Sequence, residues 1–297
     1  MIHLFKGIHG KINRIYHLLT GWLVLLALLL HCSTAVAEKS LRLGLHPFLS
    51  SVELFKRFSP LAEYLSSAIN RPVQIKISPS YAAHLDAIAE EQLDIAYLGP
   101  AAYVKIVDSF GPRPLLARLE MHGKTTFQGV IIVRHDSEIK SLTDLVGKRF
   151  AFGDPASTMS HLVPRFQLIQ EGVTADRLGN FEFTGNHVNV ALTVLLGMFD
   201  AGAVKETIFE QYKACGLKAL TRTPAITGHV FIARTDLSQK MIRELRSAFL
   251  RLKDTPFGPT ILRAIKPSLT GFVPVQNEDF DNLRRILKIL SHQKNAP

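Results

Sequence analysis

From Leu41 onward, short apolar runs alternate with longer stretches whose apolar residues recur every three or four positions. The short runs fit strands, and the longer spacing fits helices that bury one face. Leu41 to Leu45, Val73 to Ile77 and Ile95 to Leu98 are predicted strands. Leu54, Phe58, Leu61, Leu65 and Ile69 make a helical stripe that Pro60 either starts or kinks. A second helix is predicted over Tyr81 to Glu90, and Gly99-Pro100 opens a third. Such alternation predicts a largely parallel sheet with helices on its faces. Ligands of these sheets sit beyond the strand C-termini, which here places His46, Ser78 to Tyr81 and Tyr97 to Tyr103 at the binding edge.

Thr126 to Arg134 reads as an apolar, β-branched strand crossing into a second lobe, followed by a short helix over Ser141 to Val146. The alternation then repeats: strand Arg149 to Phe152 with a helix, strand Phe181 to Thr184 with helix His187 to Phe199, strand Ala201 to Val204 with helix Lys205 to Tyr212, and strand Leu217 to Arg222. His229 to Arg234 is the return crossing, and helices over Ser238 to Leu252, Pro259 to Ile265 and Glu278 to Ser291 complete the first lobe. The expected boundaries are 38–128 plus 233–297 for the first lobe and 129–232 for the second. The fold class is α/β: two lobes, each a mostly parallel sheet flanked by helices, joined by two crossing strands and able to close by hinge motion.

The turn Phe152-Gly153-Asp154-Pro155-Ala156-Ser157-Thr158-Met159-Ser160-His161 carries the chemistry. It leaves one strand and enters a helix whose apolar positions are Leu162, Val163, Phe166 and Ile169. The first turn of a helix leaves about four amides unpaired and carries roughly half a positive charge. Ser157 and Thr158 add hydroxyls beside those amides, a geometry suited to anion oxygens. The same two residues also serve as an ordinary helix cap.

Residues 1–37 change the bookkeeping of charge and thiols. Lys6, Lys11 and Arg14 precede an apolar run from Leu18 to Leu30, and Ala35-Val36-Ala37 gives a small-x-small pattern. These are the parts of a cleavable secretory signal, with cleavage expected near Ala37. The apolar run is shorter than the roughly 20 residues that cross a bilayer. Lipidation at Cys32 is the lesser alternative, because His31 is bulky where a small residue is wanted. Beyond residue 37 stand 32 basic and 25 acidic residues, a net +7, with no Lys/Arg block to suggest nucleic acid. Cys215 is then the only thiol, so no internal disulfide can form, and a bacterial periplasm is the expected compartment.

Five segments in this order carry a resemblance: Leu43-Gly44-Leu45-His46-Pro47, Phe58-Ser59-Pro60-Leu61-Ala62-Glu63-Tyr64-Leu65, Asp94-Ile95-Ala96-Tyr97-Leu98-Gly99-Pro100, Asp144-Leu145-Val146-Gly147-Lys148 and Asp154-Pro155-Ala156-Ser157-Thr158. The chain resembles the phosphate/phosphite/phosphonate-binding proteins of ABC importers, within the type II periplasmic binding proteins. The resemblance implies a Venus-flytrap fold, an export signal and a small oxyanion held between the lobes; no catalytic role, cofactor or metal is expected. By position it assigns anion contacts to Tyr81, Ser157, Thr158, Met159 and Ser160 with their amides, and His187. His161, Tyr97, Tyr103, Phe127, Lys205 and His229 are further candidates. Met159 stands where serine is common and Phe127 where tyrosine is expected; Glu206 is the only acid near the site. A ligand without an ammonium group is therefore expected.

Other classes fit less well. No G-x-S-x-G elbow accompanies the Ser/His pairs, and the eight histidines after residue 37 are scattered rather than set at metal-ligand spacing. The expected partner is an ABC permease, with a membrane kinase or cyclase as the alternative, and the protein is expected to be monomeric.

Overall fold

A computed structural model describes residues 40–294; the predicted signal segment and Cys32 lie outside them. The chain forms strands β1 (Leu41–Leu45), β2 (Val73–Ile77), β3 (Ile95–Leu98), β4 (Leu115–Met121), β5 (Thr126–Phe127), β6 (Gly129–Arg134), β7 (Arg149–Phe152), β8 (Asn180–Phe183), β9 (Ala201–Lys205), β10 (Leu217–Arg222), β11 (Ile226–Thr227), β12 (Val230–Ala233) and β13 (Leu269–Val273). Its helices are α1 (Ser51–Ala68), α2 (Tyr81–Ala89), α3 (Pro100–Phe110), α4 (Val163–Gln170), α5 (His187–Leu195), α6 (Glu206–Tyr212), α7 (Gln239–Arg251), α8 (Gly258–Ile265) and α9 (Asp281–Lys294).

Two sheets define two lobes. The first has strand order β13-β4-β12-β3-β1-β2 and the second β10-β6-β9-β7-β8. Each is mixed rather than mostly parallel: β1 pairs β2 and β3 in parallel and β7 pairs β8 and β9 in parallel, while β4, β6, β10, β12 and β13 add antiparallel neighbours. The parallel strands are the ones whose C-terminal ends matter below. Apolar faces of α1, α7 and α8 cover one side of the first sheet through Leu54, Phe58, Leu61, Phe249 and Leu262. Helices α2, α3 and α9 cover its other side, and Met159 and Val163 of the second lobe join that same cluster.

Several local expectations change for identifiable reasons. Helix α1 begins at Ser51, capped by Ser50 accepting from the Glu53 amide, so Pro60 lies inside it rather than at its start. The expected helix at 141–146 is a single 3-10 turn, Thr143–Leu145, because Asp144 accepts the amides of Lys140 and Ser141 and Gly147 turns the chain at φ 74°. The first crossing breaks at Gln128, whose side chain donates to the Thr223 carbonyl. The short pieces β5 and β11 then pair as an antiparallel ribbon between the sheets. Because β12 is hydrogen-bonded between β3 and β4, the return to the first lobe precedes residue 230 rather than falling at 233.

The helix expected to start at Ser157 starts instead as one π turn, Thr158–Leu162, before α4. Pro164 supplies the reason: it has no N–H to give the Ser160 carbonyl, which accepts from Gly153 instead. Leu162 and Val163 donate five residues back, to Ser157 and Thr158. Gly153 packs so closely there that a Cβ would overlap Ser160 Oγ and sit 2.8 Å from its Cβ. Gly153→Ala should therefore lower stability by about 1–3 kcal/mol, read as a drop in thermal midpoint; an unchanged midpoint would show that the turn relaxes freely.

Candidate functional site

The strand ends converge on one cavity between the sheets. From the first lobe come His46 after β1, Phe48, Tyr81 at the start of α2, and Gly99 and Ala102 at the start of α3. From the second come Ala156 to Met159 after β7, His187 at the start of α5 and Lys205 at the end of β9. Phe127 of the ribbon, His229 and Lys266 complete the lining. The cavity volume is about 40 Å³, against roughly 10–15 Å³ on the same measure for one water, so it suits something about three waters in size. The lobes touch across it: the Ala101 amide donates to Thr158 Oγ1 at 3.2 Å.

Four helical first turns, those of α2, α3, α5 and the π turn, thus face one small space, each with its share of positive dipole charge. Ser157 Oγ accepts from the Ser160 amide at 3.2 Å and Thr158 Oγ1 from Ala101, which leaves both O–H groups to donate elsewhere. Burial, with Asp154 nearby, pushes the Tyr81 phenol up, so it stays neutral and a donor. His187 Nδ1 accepts the Lys205 amide at 3.1 Å. Its proton therefore sits on Nε2, the ring's remaining polar atom.

The other imidazoles are neutral too. The Tyr97 carbonyl accepts from His46 Nδ1 and from His84 Nε2, each at 3.1 Å, and His84 Nδ1 in turn accepts from Ser78. His46 stacks on Tyr97 and on His229. Burial holds His187 and His229 well below the usual histidine range, with the neighbouring lysines reinforcing it. Burial likewise lowers Lys205 to about 8 and Lys266 to about 7. Among the described residues no carboxylate lines the cavity, and no group of three His, Cys, Asp or Glu side chains is placed to hold a metal.

Eight of the twelve residues singled out from the sequence line this cavity: Tyr81, Ser157, Thr158, Met159, His187, Phe127, Lys205 and His229. Four do not. Ser160 is turned away by the π turn and donates to the Ala203 carbonyl at 2.6 Å. His161 donates from Nδ1 to the Pro155 carbonyl and packs its ring edge on Phe152 and Phe183, lining a separate apolar groove. Tyr97 lies beneath His46 and His229 with its hydroxyl buried and unpartnered. Tyr103 donates to Asn277 and packs on Phe280, away from the cavity. Lys266 escapes sequence reasoning, since a lone lysine before Pro267 carries no signal; only packing brings it here.

Fold and cavity define a two-lobed binding protein whose cleft is furnished with donors for a small anion. The family of phosphonate ABC transporter periplasmic substrate-binding proteins matches residues 43–280, and the chain belongs to that family. It is therefore the periplasmic substrate-binding component of an ABC transporter, in a family of transport receptors rather than enzymes. The phosphate-import protein PhnD of Mycolicibacterium smegmatis is 27% identical over 280 residues, covering 86% of this chain and 87% of that protein. The phosphonates-binding periplasmic protein of Escherichia coli is 24% identical over 239 residues, 77% and 70% of the two chains. Among solved structures, PhnD1 of Prochlorococcus marinus in complex with methylphosphonate superposes with a TM-score of 0.76 at 24% identity, covering 85% of this chain and 98% of that one.

The neutral histidine layer has a consequence for acid stability. Burial holds His46 at about 3 and His84 at about 4, whereas an unfolded histidine titrates near about 6.5. Between those values the unfolded chain binds more protons, so stability falls as pH drops through about 6.5, by about 1.4 kcal/mol per pH unit for each histidine. Thermal midpoints measured from pH 7 to pH 4.5 should fall, and His84→Gln should flatten that slope; a pH-independent midpoint would mean that these imidazoles charge freely in the folded state.

Proposed function

We propose that the protein captures a doubly charged phosphorus oxyanion without an amine, namely phosphite, a short alkylphosphonate or phosphate, in the cavity between its lobes. The observation that carries this reading is a cavity lined by hydroxyls, helix amides, an Nε2–H and two lysines, with no carboxylate among its described lining residues. An ammonium substituent would need a carboxylate in such a dry site, and Glu206, the nearest sequence candidate, is instead paired with Arg222. Phe48, Phe127, Met159 and Ala102 give part of the wall an apolar character, which suits a P–H or P–CH3 group and ranks phosphite and methylphosphonate above phosphate.

In this reading Ser157, Thr158, the amides that follow them and His187 hold the anion from the second lobe, and Tyr81 closes on it from the first. Closure buries the ligand and forms the surface offered to the permease, so one two-state motion serves binding and delivery. The protein works as a monomer, exported by a segment cleaved near Ala37. Family membership favours the permease over a membrane kinase or cyclase as partner.

Titration calorimetry against phosphite, methylphosphonate, phosphate, sulfate and 2-aminoethylphosphonate tests the reading. Binding should be confined to the phosphorus oxyanions without the amine, with sulfate and 2-aminoethylphosphonate giving none. The double variant Ser157→Ala/Thr158→Ala should lose about 1–3 kcal/mol per charge-assisted bond while keeping its fold. Unchanged affinity in that variant would place the site elsewhere.

A further inference from the structure

We propose that Lys205 and Lys266, one from each lobe, form a split cation pair that reads the ligand's second negative charge, so that a dianion closes the cleft and a monoanion of the same shape does so poorly. This inference rests on the reading above and adds a specificity determinant to it.

The two lysines reach the cavity from unrelated parts of the chain. Lys205 ends β9 of the second lobe, and Lys266 follows α8 of the first. Neither has an ionic partner among the described residues, and the acids in their neighbourhoods are engaged elsewhere. Glu206 pairs with Arg222, Glu53 with Arg57, and Asp154 accepts the Ala156 amide. Lys205 receives only the face of Phe48, with its ammonium 5.7 Å from the ring centre, a modest compensation for lost water.

Among the described residues, the charged groups that act on the two lysines are themselves positive. Lys205 and Arg57 face Lys266, and Arg57 is held in place by Glu53 and the Ile265 carbonyl. The imidazoles of His46, His187 and His229 complete the surroundings, each feeling both lysines. Closing the empty cleft therefore sets two lysines in a dry space without a counter-ion, where each either stays charged at a cost or gives up its proton. One negative charge answers one of them; two charges answer both. The hydroxyls and helix amides recognise the oxygens of either ligand, so discrimination by charge falls to the lysines.

Methylphosphonate and methanesulfonate separate the two effects, since they share a tetrahedral shape and a methyl group but differ by one charge at pH 8.5. Calorimetry of the wild type, with methanesulfonate read by competition, should give a strong preference for methylphosphonate. Lys266→Met and Lys205→Met should each weaken methylphosphonate by about tenfold to a hundredfold and leave methanesulfonate nearly unchanged, narrowing the preference. Lys266→Gln, which keeps a donor without the charge, should do the same. Titrations in buffers of different ionisation enthalpy should show proton uptake on methylphosphonate binding that Lys266→Met reduces. The empty variants should melt no lower than the wild type, because a buried amine with no partner in the empty cleft has gone. An unchanged preference in the lysine variants, with Ser157→Ala/Thr158→Ala still weakening methylphosphonate, would overturn the cation pair and leave the underlying reading standing. A wild type that ignores methylphosphonate altogether would overturn both.

Discussion

The structure depends on one constraint: positive character is concentrated in a closed, poorly hydrated cleft whose described lining includes no carboxylate to answer it. Burying a charge without a partner is costly, and a protein responds by neutralising the group or by leaving the charge to a ligand. Both responses are visible. The imidazoles are neutral, the lysines sit far below the usual lysine range, and the hydroxyls keep their protons for an acceptor that the protein does not supply.

Topology produces that concentration. In each lobe the parallel strands end on the same side, and the helices that follow them start there, so β1, β3, β7 and β9 deliver residues to one space. The antiparallel strands do other work. β12 and β4 complete the first sheet, and the β5–β11 ribbon ties the lobes by two short pairings. Two such pairings flanked by Gly129 and Gly228 leave little structure that must deform when the lobes turn relative to one another. Glycine is needed for space at Gly129, where a Cβ would come within 2.9 Å of the Met159 carbonyl, and a Cβ at Gly228 would be tight, 3.2 Å from the Thr125 carbonyl.

What the sequence made legible follows the same division. Tyr81, Ser157, Thr158 and His187 each sit at a strand-turn-helix junction, where a local rule links residue type to position, and each lines the cavity. Strands β4 and β13 escaped because neither is a run of uniformly apolar residues; both are recruited as antiparallel partners by residues far along the chain. Ser160 and His161 follow no such rule: Pro164 replaces a regular α-helical start by a π turn, and their side chains bond the Ala203 and Pro155 carbonyls instead of lining the cavity. Lys266 had no local signature, and its place depends on α8 docking against α1 and on Arg57 reaching the Ile265 carbonyl.

The tautomer of His187 shows how far the backbone alone sets the chemistry. Its Nδ1 is occupied by the Lys205 amide, at the point where β9 ends. The same peptide therefore does two things: its N–H fixes a donor on the far side of the imidazole, and its side chain brings an ammonium group into the cavity. A protonated His187 would lose that amide contact, since both ring nitrogens would then be donors. The strand end thus holds the imidazole neutral by geometry as well as by burial, and the positive charge available to an anion comes from lysine, which can surrender its proton when the cleft is dry and regain it beside a negative ligand.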